Sequence, residues 1–395
     1  MRNLSICIIT RDESEKLEHC LSVIEDHIHI GDGAELVVVD TGSADDSNTV
    51  AKKHNARVYE FEWCDDFAAA KNFCIGQASN DTILLLDTDE YIESFVMDDI
   101  EKVFLDAEDS VGLILRENHY VYDGQDRINN EWIPRIFSRR HHRYEGRIHE
   151  QLVPIATGGI AVYGLTGEHD SKADDGNVVV HNTGAVRRVR TGIVIDHDGY
   201  MLSPEAIEKK ADRNIRLLED ELGALREEDA PDDKIAYVIY QLGKSYYFKH
   251  DYHNAAKCFD EGLSYDLDER KEYVIDMVVS YGYSLINLGE DSKALLLEGV
   301  FDTFSHDADY LFVMGLIYMK NARFSDAIRA YESAIGCKEC RTKGVNSFLS
   351  YYNMGVIYEC LGYNDEARDC YSKCRDYEPA KKNMINVIDK MKQTD

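Results

Sequence analysis

A chain of 395 residues is long enough for two or three domains that each bury a core, and its 74 acidic against 44 basic residues give a formal net charge of −30. That excess argues against nucleic acid or an anionic membrane surface as the main partner, and a polyanionic substrate would be repelled unless a metal or local basic residues intervened. No apolar run approaches the length of a membrane span, no charged-then-apolar signal segment opens the sequence and the ten cysteines are scattered, so a protein of the reduced cytoplasm is expected.

Asn3 to Thr10 is a β-branched apolar run, Arg11-Asp12-Glu13-Ser14 supplies turn and capping residues, and Leu17, Cys20, Leu21 and Ile24 then recur with helical period. Glu35 to Asp40 reads as a second buried strand ending in a carboxylate, followed by the loop Thr41 to Ser47 and a helix from Asn48 to His54. Arg57 to Phe61 gives a short third strand, and a helix starting at Phe67 carries Lys71 and Asn72. Next comes Ile83-Leu84-Leu85-Leu86-Asp87-Thr88-Asp89-Glu90, four apolar residues followed by three carboxylates within four positions. Such a run predicts a central parallel strand that surfaces at its C-terminal end, where open α/β sheets bind ligands. Strand alternation would turn Asp87 and Asp89 the same way, toward one divalent cation bridging two phosphate oxygens. Strands alternating with helices point to a mostly parallel, doubly wound sheet. The glycine-rich loops of dinucleotide oxidoreductases and P-loop ATPases are missing.

The runs Ser5 to Glu13, Val37 to Asp45 and Leu84 to Glu90 together resemble the nucleotide-binding half of a family 2 glycosyltransferase of the GT-A fold, over roughly the first 200 residues. The resemblance implies that Asp40 contacts the uracil or ribose of a UDP-sugar, that Asp87 and Asp89 serve ribose and a metal on the diphosphate, and that Thr10, Arg11, Glu13 and Thr88 line the nucleotide loop. Lys71-Asn72 resembles the family's basic residue plus Asn, with Lys in place of the more usual Arg, a point charge in place of a bidentate fork.

Trp132 to Phe137 and Tyr144 to Leu152 resemble the segment that closes the active site in the subgroup with attached helical repeats. An inverting transfer needs a general base for the acceptor proton and positive charge at the departing diphosphate. His149 or Glu150 are the base candidates, and Arg135 or Arg147 the candidates to steady the phosphates; an ion pair of Glu150 with Arg147 is the competing structural reading. His197-Asp198-Gly199-Tyr200 resembles the motif ending the catalytic domain of that subgroup, making His197 the preferred further ligand beside Asp89 for Mn²⁺ or Mg²⁺, with His169 and His181 as rivals. Gly164 to Arg190 has loop chemistry and reads as an insertion or lid. Two close cysteine pairs, Cys337 with Cys340 and Cys370 with Cys374, lack the partners of a structural zinc site and read as ordinary thiols.

From Ser203-Pro204-Glu205 a long amphipathic helix begins, and after it one template recurs. Gly243, Gly282, Gly315 and Gly355 are each followed twelve positions later by Ala, at Ala255, Ala294, Ala327 and Ala367, with aromatic residues between and after. Small residues permitting close helix approach are the mark of tetratricopeptide pairs; the glycines lie 39, 33 and 40 residues apart, against a usual period of about 34, so two connections are lengthened. The expected layout is a GT-A domain over 1–202, a connecting helix over 203–232 and tetratricopeptide repeats over 233–395. It is similar to bacterial peptide S-glycosyltransferases, which implies an inverting, metal-dependent transfer from a UDP-sugar to a peptide or protein acceptor, the repeats recruiting that acceptor or pairing two copies into a homodimer. Assembly of surface polysaccharide or lipid-linked glycan is the first alternative, and a tetratricopeptide scaffold with an inactive transferase domain the second.

Overall fold

The structure, a computed structural model, describes residues 3–31, 33–122, 125–155, 170–172, 179–183, 186–199 and 203–394. It divides into two compact units, Met1–Gln241 and Leu242–Asp395.

In the first unit β1 (Leu4–Thr10), α1 (Ser14–His27), β2 (Ala34–Asp40), α2 (Ser47–Lys53), β3 (Arg57–Glu60), α3 (Phe67–Gln77) and β4 (Thr82–Asp87) follow in alternation. There follow β5 (Glu90–Ser94), α4 (Met97–Val103), β6 (Val111–Tyr122), β7 (Gln125–Ser138), β8 (His142–Glu145), β9 (Gln151–Pro154), β10 (Asp170–Lys172), β11 (Val179–Thr183) and β12 (Val186–His197). One ten-stranded sheet has the order β10-β11-β12-β6-β7-β4-β1-β2-β3, with β5 paired to β12, while β8 and β9 form a separate ribbon. Neighbours are parallel from β3 to β4 and between β6 and β12, and antiparallel where β7 meets β4 and β6. The core explains the parallel half. Ile83, Leu84, Leu85 and Leu86 are at most 1 % exposed because helices cover both faces of β4, each such side chain contributing roughly 1.5–3 kcal/mol. On α1 the buried residues are Leu17, Cys20, Leu21 and Ile24, the stripe its period predicts.

Two expectations change. β4 stops at Asp87 and residues 88 and 89 form a turn into β5, so strand alternation does not reach Asp89. Within Gly164 to Arg190, the described residues are strand: β10, β11 and the start of β12, whose Val179-Val180 and Val186 are good strand formers among the glycines. The remainder of that stretch, His169 included, lies outside the described residues.

α5 (Pro204–Glu227) starts where sequence places it: Ser203 Oγ accepts from the Ala206 amide and Pro204 fills the first turn. It belongs to the first unit, as does the beginning of α6 (Asp232–Phe248), so the division falls after Gln241 and not at 232/233. The second unit continues with α7 (Tyr252–Gly262), α8 (Glu272–Asn287), α9 (Asp291–Ala294), a 3-10 turn over Leu295–Val300, α10 (Phe301–Phe304), α11 (Ala308–Lys320), α12 (Phe324–Gly336), α13 (Phe348–Cys360), α14 (Asn364–Ser372) and α15 (Glu378–Thr394). The four template alanines are fully buried. The glycines face rings of the following helix: a Cβ would stand 2.5 Å from Phe259 at Gly243, 2.7 Å from the Tyr331 Cζ at Gly315 and 2.6 Å from Tyr371 at Gly355. At Gly282 the partner is Leu297, 3.0 Å away, in the one pair whose second helix is broken into short turns. None of the ten cysteines is in a disulfide, and Cys337, Cys340 and Cys374 donate to neighbouring oxygens as ordinary thiols.

Candidate functional site

Parallel register brings the polar strand ends to one edge: Thr10 pairs with Asp40, and Ile9 with Asp87. Asp87 is held from two sides, Oδ1 at 2.9 Å from Lys71 Nζ and Oδ2 at 2.7 Å from the Arg135 guanidinium. Lys71 also meets Glu150 Oε1 at 2.6 Å, and Arg135 meets Glu90 Oε1 at 2.6 Å. Glu90, whose side chain is fully buried, further accepts from Arg116 at 3.1 Å and from the Asp87 amide at 3.1 Å. Burial alone would raise the Asp87 pKa, yet Lys71 and Arg135 hold it well below the usual carboxylate range. For Lys71 burial pulls the other way, and Asp87 and Glu150 keep it above the ordinary lysine value. The result is a chain of alternating charge that joins α3, β4, β7 and the loop before β9.

Expected as a metal ligand, Asp87 is thus occupied by two cations. Asp89 is turned elsewhere, to His197, whose Nε2 lies 3.7 Å from Asp89 Oδ1. β12 places His197 beside Asn118 of β6, and His197 Nδ1 lies 2.7 Å from the Asn118 amide oxygen. Because that oxygen only accepts, Nδ1 carries a hydrogen toward it and leaves Nε2 facing Asp89, the arrangement usual for a ligating histidine. Two acceptors facing each other need a cation between them, a proton or a metal. Gly199 keeps the space open: a Cβ there would collide with His197 Nε2 and stand 2.7 Å from Asp89 Oδ2. Burial raises the Asp89 pKa, but the hydrogen bond and charge of His197 lower it further, to about 2. One nitrogen and one carboxylate oxygen fit a borderline divalent ion such as Mn²⁺, the rest of whose shell would come from substrate oxygens and water. Among the described residues no cluster of three His, Cys, Asp or Glu side chains forms a complete protein cage. Of the rival ligands, His169 is outside the described residues and only the backbone of His181, on β11, is described.

The other expected residues divide. Thr10 Oγ1 is buried without a partner at the sheet edge, and the Thr88 hydroxyl donates to Glu13, whose pKa burial raises. Asp40 is spent on its own loop: Oδ1 accepts from the Gly42 and Ser43 amides and the Ser43 hydroxyl, and Oδ2 from Asn48 at 2.6 Å. Asn72 pairs with the Tyr144 backbone, giving 2.8 Å and receiving at 2.9 Å, and so ties α3 to β8. Arg11 and Arg147 are exposed, and the Arg147 carbonyl accepts from the Phe67 amide. His149 takes a left-handed backbone (φ +51), has a buried Nε2 without a partner and is pushed by burial down to about 4. The ion pair of Glu150 is with Lys71, not Arg147.

Sequence reading gave no role to Glu90, Arg116, Asn118, Lys16 or Lys210. Glu90 stands next to Asp89 and could have been flagged by position; Asn118 could not, because only the β6–β12 pairing brings it to His197. Lys16 Nζ lies 3.7 Å from both Asp89 and Asp198, and Lys210 Nζ on α5 donates to the Gly199 carbonyl at 3.2 Å.

Residues 5–164 match the family described as Glycosyl transferase family 2, and residues 349–381 match Tetratricopeptide repeat. A TPR repeat-containing protein of Synechococcus elongatus is 42% identical over 90 residues, 23% of this chain and 21% of its own length. An uncharacterized glycosyltransferase of Rickettsia prowazekii is 32% identical over 104 residues, 26% of this chain and 34% of its own. The chain thus spans between a fifth and about a third of the length of these curated relatives. Among solved structures, glucosyl-3-phosphoglycerate synthase from Mycobacterium tuberculosis, in complex with Mn²⁺, uridine diphosphate and glucosyl-3-phosphoglycerate, is 20% identical with a TM-score of 0.24, covering 30% of this chain and 44% of that one. The chain carries a family 2 glycosyltransferase domain, built on a mixed and in its first half parallel sheet, at its N-terminus and tetratricopeptide helix pairs at its C-terminus.

Proposed function

We propose that this chain, a family 2 glycosyltransferase domain followed by tetratricopeptide pairs, transfers a sugar with inversion from a UDP-sugar to a peptide or protein acceptor that the repeats recruit. The observation that carries the reading is the facing pair Asp89 and His197, kept apart by Gly199 at the ligand edge of the sheet, next to the fixed charges of Asp87, Lys71 and Arg135. Asp89 and His197 would hold a divalent ion, which when bound supplies positive charge to the diphosphate. Thr10, Glu13 and Thr88 line the nucleotide side, and Asp40 shapes the loop 42–48 that faces it. Lys71 and Arg135 act through Asp87, fixing its carboxylate as a rigid acceptor for ribose hydroxyls.

Of the two base candidates, Glu150 is the stronger. Its carboxylate is anchored 2.6 Å from Lys71, beside Asp87 at the ligand edge, whereas burial opposes the imidazolium that His149 would become on taking a proton. Glu150 takes the acceptor proton as the acceptor attacks the anomeric carbon and the bond to the diphosphate breaks. The ten cysteines form no disulfide, as suits a reduced cytoplasm, and among the described residues no helix is long and apolar enough to cross a membrane.

Calorimetric titration of UDP with and without Mn²⁺ tests the site. UDP is expected to bind tightly only with the ion, and Asp89→Asn to lose at least tenfold in Mn²⁺-dependent affinity while unfolding like the parent. Full metal-dependent binding by folded Asp89→Asn would refute the ligand assignment; no binding by the parent would favour the scaffold alternative.

A further inference from the structure

The charge that receives the departing diphosphate was expected from Arg135 or Arg147. Arg135 is 6 % exposed, with its guanidinium held by Asp87 and Glu90, and Arg147 is exposed. We propose that the cationic side of the diphosphate site is built by Lys210 and Arg213 of α5 together with Lys16 of α1, so that the helix following the catalytic sheet is part of the donor site. This rests on the glycosyltransferase reading above.

Lys210 Nζ donates to the carbonyl of Gly199, the residue whose missing side chain opens the space between Asp89 and His197. It therefore stands at the lip of that space. Burial lowers its pKa, and Asp89 and Glu13 are the acids that oppose this. Arg213 lies three residues on, on the same side of the helix, with its guanidinium 5.3 Å from the Phe67 ring centre at the start of α3 and with Glu13 and Asp65 as its acidic neighbours. Lys16 sits between Asp89 and Asp198 at 3.7 Å from each. Those separations are about an ångström longer than the direct pairs of Lys71 and leave its ammonium able to turn to a phosphate oxygen.

Charge balance points the same way. Glu13, Asp89 and Asp198 are matched by Lys16, Lys210 and Arg213, and Asp65 is paired with Arg216, so the site's own side chains are near neutral despite the chain's net −30. A divalent ion adds two positive charges, which a diphosphate brings into balance. When the sugar–oxygen bond breaks, its electron pair stays on the diphosphate, and the added negative charge falls beside these cations. They should then stabilise the transition state more than the bound donor.

The test compares UDP with uridine, which lacks the phosphates, by calorimetry in Mn²⁺ for the full chain and for Lys210→Met, Arg213→Met, Lys210→Arg and the exposed neighbour Lys209→Met. Lys210→Met and Arg213→Met are expected to weaken UDP about tenfold each, about 1.4 kcal/mol, with uridine binding unchanged. Lys210→Arg should recover most of the loss and Lys209→Met should show none. In turnover, kcat should fall more than KM rises. UDP affinity unchanged in both Met variants overturns the proposal while leaving the donor reading intact; absence of UDP binding by the parent chain overturns both. Should Lys210→Met lose uridine as well, Arg213→Met decides, since Arg213 is an exposed residue and methionine keeps its apolar stem over Phe67.

Discussion

At the scale of single residues the site is organised by what holds each carboxylate. Asp87 and Asp89 are two positions apart, yet one is locked between Lys71 and Arg135 and the other faces His197 across an open space. The Asp-x-Asp spacing made both expected ligand residues but could not separate their surroundings, because the turn at 88–89 and the cations from α3 and β7 are tertiary facts. Asp40 and Asn72 were legible as site residues by resemblance, and the structure commits their side chains to a loop and to a strand backbone. His149 carries a prediction of its own. Its folded pKa of about 4 lies below the ordinary 6.5, so the unfolded chain binds a proton first as pH falls. Stability is therefore full above about pH 6.5 and is lost as pH drops through that value toward 4. His149→Asn, which suits a left-handed backbone, should flatten that part of the profile of urea midpoint against pH. A variant with the parent's full slope between pH 6.5 and 4 would place the effect on other groups, among them His142, which burial also pushes down to about 4.

Among the elements, the repeats were read most completely, because the template is local. A glycine and an alanine twelve residues on recur in four units without knowledge of the fold, with an aromatic sixteen on in three of them, and the structure seats the rings of Phe259, Tyr331 and Tyr371 on Gly243, Gly315 and Gly355. These glycines are needed for space, and a comparison can show it. Gly315→Ala would press a methyl into the Tyr331 ring and should cost about 1–3 kcal/mol by denaturant unfolding. Gly223→Ala, in the middle of α5 with nothing within 4 Å of the added carbon, should stabilise by about 0.5–1 kcal/mol. Equal effects at the two positions would mean that helix propensity, and not ring packing, sets the template. The strands were less legible beyond β5. β6 and β7 are long, partly polar and antiparallel, and β10 to β12 lie among glycines, so neither shows the apolar run that marks β1, β2 and β4.

For the whole molecule, composition set the right limits but the boundary between units was not visible. α5 and α6 are amphipathic helices of the same texture as the repeats, and an apolar stripe does not say which core it packs on. Gln151 Nε2 donates to the His149 carbonyl at 3.1 Å and to the Tyr237 hydroxyl at 2.5 Å, and Tyr237 also receives Gln241 at 2.9 Å. The turn bearing both base candidates thus leans on the first half of α6. A chain ended after residue 230 should unfold at a lower temperature than one ended after Phe248, and should hydrolyse the donor more slowly; indistinguishable melting and hydrolysis would show that α6 is dispensable to the turn.

That hydrogen bond from Gln151 to Tyr237 also limits how such proteins can be recombined. If arrays of repeats are exchanged to send one transferase to new acceptors, the seam cannot lie at Ser203, where the texture of the sequence changes, because a graft there would remove Lys210, Arg213 and Tyr237 together. It belongs beyond Gln241, so that α5 and the opening of α6 stay with the sheet of the first unit; under the proposed function, acceptor choice would then be exchanged together with the repeats alone.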